Sequence, residues 1–84
     1  MAQGGFGLHT KNLIFGEAFN PIDFKRSCGG NSGGDAGLVA AKCVPMAIGS
    51  DFDGGLRVPA AFCGVTCIKP TQGRFTNKGA NPST

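Results

Sequence analysis

Two glycine-rich segments lie close together in this chain and limit what it can fold into. Residues 29–37 read Gly-Gly-Asn-Ser-Gly-Gly-Asp-Ala-Gly, and residues 49–57 read Gly-Ser-Asp-Phe-Asp-Gly-Gly-Leu-Arg. Glycine carries no Cβ, so such segments suit positive-φ turns and close backbone approach, and they penalise regular elements. Fifteen of the 84 residues are glycine, against a usual ~7%, and charged residues make up 15%, against a usual ~25%. The composition therefore favours packed loops over a solvated helical surface.

Between and around these loops the pattern is α/β. Residues 35–43 have the marks of a short helix: Asp35 in the first turn, Lys42 in the last, and Pro45 just beyond. Ala36, Val39, Ala40 and Cys43 share one face while Leu38 and Ala41 lie on the other, which predicts a helix buried almost all round. A second helix is expected from Pro59 to about Cys63, closed by Gly64. Short strands are expected at residues 46–49 and 65–68, extended chain and turns over the first 28 residues, and a loose tail from residue 77 to 84.

The net charge of +3 is spread with no run longer than Lys25-Arg26, so a nucleic-acid partner is not expected. No apolar run approaches the ~20 residues of a membrane span, so no transmembrane segment is expected either. The four cysteines are enough for two disulfides, but no secretory leader pattern opens the chain. Reduced, mostly buried thiols in a cytoplasmic protein are the expectation. Only Cys63 and Cys67 approach a ligand spacing and His9 is remote, so neither a metal nor a cofactor is expected.

The glycine loops invite three chemical readings. Gly30-Asn31-Ser32-Gly33-Gly34 fits the G-x-S-x-G nucleophile elbow, which needs a buried strand before it and a histidine after it. Here Phe24-Lys25-Arg26-Ser27-Cys28 is a poor core strand, and the only histidine, His9, precedes Ser32. A glycine loop entering a helix suits anions, but neither the Walker pattern nor G-x-G-x-x-G is present. Asp51-x-Asp53-Gly54 lacks the third ligand and the closing glutamate of a calcium loop.

Taken together, Gly29-Gly-Asn-Ser-Gly-Gly-Asp-Ala-Gly-Leu-Val-Ala, the loop at 49–57, Pro59-Ala-Ala-Phe-Cys-Gly64 and Lys69-Pro-Thr-x-Gly-Arg74 resemble the amidase signature family, in flavour its fatty-acid amide hydrolase branch. Asn12, Phe15-Gly16 and Asn20-Pro21 extend the resemblance over about residues 8–80, so the chain reads as a partial amidase-signature domain across 1–84. The implied fold is a fragment of a mixed β-sheet core covered by helices. The implied chemistry is amide or ester hydrolysis by a Ser-Ser-Lys triad, with a neutral lysine, a bridging serine after a cis peptide, and a nucleophilic serine beside an oxyanion loop.

Carried over by motif, the bridging serine falls on Asn31 and the nucleophile on Gly55, so both hydroxyls are absent. The oxyanion-loop positions are Phe52, Asp53, Gly54 and Gly55, with a carboxylate at 53 where the family has glycine. Ser32, Asp51 and Arg57 take supporting positions, and Thr66-Cys67 departs from the family pattern. The family's lysine belongs well upstream of the first loop, and Lys11 is not at its position.

The resulting expectation is an amidase-signature fragment without catalysis. The alternatives are a hydrolase using Ser32 or Ser50, and a non-catalytic acyl- or anion-binding module. The implied partners are a small amide or acyl ligand and other parts of an amidase domain. The small core of a chain this short, together with its glycine content, predicts that these residues do not form a stable domain alone.

Overall fold

The computed structural model describes residues 6–80 and contains a two-stranded antiparallel hairpin and two helices. β1 is Lys11–Asn12 and β2 is Gly16–Glu17, with Lys11 opposite Glu17 and Asn12 opposite Gly16. The Asn12 Oδ1 accepts the N–H groups of Ile14 (3.0 Å) and Phe15 (2.6 Å), the side-chain turn that asparagine favours. Leu13, Ile14 and Phe15 therefore sit at the hairpin tip, each at least 85% exposed.

α1 spans Gly33–Ala40 and keeps Asp35 in its first turn. It begins before the predicted start because Gly33 presses against Thr10 and the Cβ of Cys28, an approach that only glycine permits. It ends before the predicted end: Lys42 turns to φ 60°, and the Cys43 N–H returns to the Leu38 carbonyl at 2.9 Å. Lys42 is thus beyond the last turn. The expectation of burial all round is also corrected, since only Gly33 and Ala36 are buried and Leu38 is half exposed.

α2, Arg57–Cys63, starts before Pro59. Pro59 is its third residue, still in the first turn where a missing N–H costs no intrahelical bond. Gly64 caps the end in the left-handed conformation at φ 71°, as expected. Helices α1 and α2 pack on each other. The core lies at their junction, with Cys28, Ala36 and Cys63 buried and Ala18, Ala40 and Val65 against them.

The strands expected at 46–49 and 65–68 do not form. A strand is stable when an edge pairs with it and a face covers it. Among the described residues nothing pairs with either segment, and Met46, Ile48 and Ile68 are 72%, 88% and 80% exposed. The described residues have mixed α and β content, two helices and an antiparallel hairpin, while the mixed sheet core is not present among them. The loose tail is unpaired by strand or helix through residue 80, and 81–84 lie outside the described residues.

Candidate functional site

The two glycine loops lie against each other in space. At Gly29 and Gly30 the backbone is left-handed (φ 73° and 60°), and a Cβ on Gly30 would strike the Gly55 carbonyl and the Pro59 ring. This close approach lets the Ser32 N–H donate to the Gly55 carbonyl at 3.1 Å. Thr10 holds the first loop from below, its hydroxyl in reach of the Gly30 carbonyl (2.6 Å) and the Gly29 carbonyl (3.0 Å), and it is buried. The Gly30 N–H donates to the Leu8 carbonyl at 2.9 Å.

Ser32 is fully buried and staples the loops. Its Oγ accepts the Ser50 N–H at 3.0 Å and lies 3.3 Å from the Ser50 carbonyl and 3.5 Å from the Asn31 Oδ1, either of which can take its proton. Asn31, also buried, donates from Nδ2 to the Ser50 Oγ at 3.0 Å. The Asn31 carboxamide stands in the space that a side chain at position 55 would enter. A Cβ built on Gly55 would overlap the Asn31 Oδ1 and lie 2.8 Å from its Cγ. The peptide before Asn31 is trans, as are all those among the described residues, in contrast to the cis peptide implied by the family pattern.

The second loop is shaped by Asp51, whose side chain is 3% exposed. Its Oδ1 accepts the Gly54 N–H (2.8 Å) and Arg57 Nη2 (3.0 Å). Its Oδ2 accepts the N–H groups of Leu56 (3.3 Å) and Arg57 (3.1 Å) and Arg57 Nε (2.9 Å). The Arg57 guanidinium, backed by these amides, holds the Asp51 carboxyl well below the usual carboxylate range against the opposing effect of burial. The carboxylate thus ties down three N–H groups at the turn into α2.

Gly54 (φ 116°) and Gly55 are buried, whereas Phe52 and Asp53 face solvent. The Phe6 and Phe52 rings meet edge to face at 6.0 Å. Asp53 adds to the negative potential at Arg57. The structure thus brings Asn31, Ser32, Ser50, Asp51, Gly54, Gly55 and Arg57 into one contiguous unit, with Phe52 and Asp53 on its outer side.

His9 is engaged elsewhere, with Nε2 2.8 Å from Glu17 Oε1 and Nδ1 3.0 Å from the Ser27 Oγ. Lys11 is exposed on β1. No group of three or more His, Cys, Asp or Glu side chains among the described residues is placed to hold a metal ion. No helix among them is long and apolar enough to cross a membrane.

Two buried polar clamps escape sequence reasoning. Thr10 carries no local signal at all. Asn20 enters the sequence reading as part of the Asn20-Pro21 resemblance but with no contact assigned, yet its Nδ2 donates to the Phe62 carbonyl at 2.8 Å, fixing the N-terminal segment to the end of α2.

The Amidase family matches residues 1–84. Over 79 residues, 94% of this chain, it is 49% identical to a glutamyl-tRNA(Gln) amidotransferase subunit of Methanospirillum hungatei. Over 82 residues, 98% of this chain, it is 44% identical to the AtzE subunit of 1-carboxybiuret hydrolase of Pseudomonas sp. strain ADP. The corresponding amidotransferase subunit of Moraxella catarrhalis is 48% identical over 79 residues, 94% of this chain and 16% of its own length. The chain spans 18% of the length of the first two relatives. No solved structure matches. These relatives do not single out the fatty-acid amide branch that the motifs resemble. Glycine loops in the family's order, folded against each other and matched along the whole sequence, make this chain a member of the Amidase family.

Proposed function

We propose that this chain is an amidase-family segment without amide-hydrolase activity of its own. The observation that carries the reading is the Asn31 carboxamide lying where the position-55 side chain would project, with glycine at 55. Gly55 offers no oxygen to acylate. A carboxamide neither gains nor loses a proton near neutral pH, so Asn31 does not relay one as a hydroxyl does. Ser32, the nearest hydroxyl in sequence, is fully buried and engaged with both backbone groups of Ser50, which argues against its acting as a substitute nucleophile. Ser50 accepts a hydrogen bond from the Asn31 amide, a group that is no base.

The remaining backbone of the second loop, preorganised by Asp51, supports a binding role toward a small amide or acyl ligand. The remainder of an amidase domain is the partner best suited to cover the exposed apolar side chains. The test is a fluorophosphonate acylating probe followed by intact mass, with turnover of aryl and fatty-acyl amides measured beside it. No adduct and no turnover are expected. Turnover above background that Ser32→Ala or Ser50→Ala abolishes would refute the proposal.

A further inference from the structure

We propose that Cys28 and Cys63 form a reversible disulfide, a redox modification site that ties the entry of the first glycine loop to the C-terminal end of α2. Four thiols are free in the structure, and they fall into two kinds. Cys28 and Cys63 are 0% and 1% exposed and share the core cluster, whereas Cys43 is exposed and Cys67 is partly so. The chain beside Cys28 also lies against α2: a Cβ on the adjacent Gly29 would meet the side chains of Phe62 at 2.8 Å and Val58 at 2.9 Å.

The backbone on each side gives the sulfurs room to meet. Gly37 carries no side chain over the Cys28 Sγ, which a Cβ there would touch at 3.4 Å. Cys63 is the last residue of α2, immediately before the left-handed Gly64. A covalent bridge here would join segments that already touch, so it fixes the existing fold without rearranging it.

The chemistry needs an oxidant of the small-molecule disulfide class, such as glutathione disulfide. One cysteine thiolate attacks it, forming a mixed disulfide and releasing one thiol, and the second cysteine then displaces the second thiol. Two protein S–H bonds become one S–S bond, and the oxidant, reduced by two electrons, leaves as two thiols carrying the two protons. Burial and the neighbouring thiol push Cys28 up to about 11, so the first exchange is slow. The second is intramolecular between groups in contact, and is fast.

The proposal does not depend on whether the chain hydrolyses amides. The test equilibrates the whole chain in a glutathione redox buffer containing a stabilising osmolyte, traps free thiols with an alkylating agent, and maps tryptic peptides. Peptide 27–42 carries Cys28, peptide 43–57 carries Cys43 and peptide 58–74 carries Cys63 and Cys67. The expected product joins 27–42 to 58–74 through Cys28 and Cys63, exceeds the Cys63–Cys67 bridge by roughly tenfold, and leaves Cys43 and Cys67 alkylated. In urea the preference should reverse, because an unfolded chain closes its shortest loop most readily. The Cys43→Ser/Cys67→Ser variant should still form the bridge. A Cys63–Cys67 product that equals or exceeds the Cys28–Cys63 product in osmolyte, no bridge in that variant, or a pattern unchanged by urea would overturn the proposal.

Discussion

Adding a methyl group at position 55 tests whether Asn31 and Gly55 are one structural unit. In Gly55→Ala the new Cβ overlaps the Asn31 Oδ1 and lies 2.8 Å from its Cγ. Asn31 is held by its bond to the Ser50 Oγ and is 3% exposed, so it yields only by breaking that bond or shifting the loop. Overpacking costs about 1–3 kcal/mol and the lost hydrogen bond about 1 kcal/mol, giving about 2–4 kcal/mol for the single variant. Asn31→Ser alone loses the same hydrogen bond, about 1 kcal/mol, because the exposed Ser50 hydroxyl can turn to water. In the double variant the two nearest obstacles are gone and the next, the Ser50 carbonyl, lies at 3.0 Å. Gly55 is not among the glycines with positive φ, so alanine there also gains about 0.4–1 kcal/mol through the unfolded chain. The clash disappears and the shared hydrogen bond is lost only once, so the cycle should show a favourable coupling of about 2–4 kcal/mol. The assay is urea unfolding followed by far-UV circular dichroism, begun in a stabilising osmolyte so that the folded baseline is populated. Additivity of the two single effects to within about 0.5 kcal/mol would refute the reasoning.

The other expectations follow from the same contacts. Asp51 has a carboxyl held below its unfolded value, so its contribution is present above about pH 4 and fades as pH falls below that; acid titration of the unfolding midpoint checks it. Asp51→Asn should remove about 2 kcal/mol and flatten that acid limb, since it takes the buried carboxylate from three backbone N–H groups and turns an amide donor toward them. Gly30→Ala should cost more than Gly34→Ala by about 3 kcal/mol, because position 30 combines φ 60° with collision against Gly55 and Pro59 while position 34 meets nothing; paired urea curves decide it. Without osmolyte the chain should bind a hydrophobic dye and show no cooperative melting above about 45 °C, which calorimetry would contradict by a sharp endotherm.

What was legible in the sequence was what local chemistry controls. Gly64 stops α2 because a left-handed residue is needed there, and Asp35 sits in the first turn of α1 where the helix dipole favours it. The strands at 46–49 and 65–68 were misread because an apolar run states only that a segment would be buried if something covered it. Ile48 and Ile68 lack that cover among the described residues. The same reasoning failed at Leu38, counted as one side of a buried helix although α1 presses only Gly33 and Ala36 inward.

The candidate site divides along the same line. The resemblance to the family is what assigns Asn31 and Gly55 to the two serine positions. That Asn31 and Gly55 meet was not legible, because it depends on the distance between two backbones brought together at Gly30 and where the Ser32 N–H reaches the Gly55 carbonyl. A serine restored at 55 in the presence of Asn31 would find its Cβ position overlapped by the carboxamide oxygen. A serine at 31 with glycine at 55 would have a hydroxyl with nothing to activate. On the proposed reading, the pair makes either single reversion unproductive, and the proposed lack of catalysis follows from the contact as well as from each missing hydroxyl.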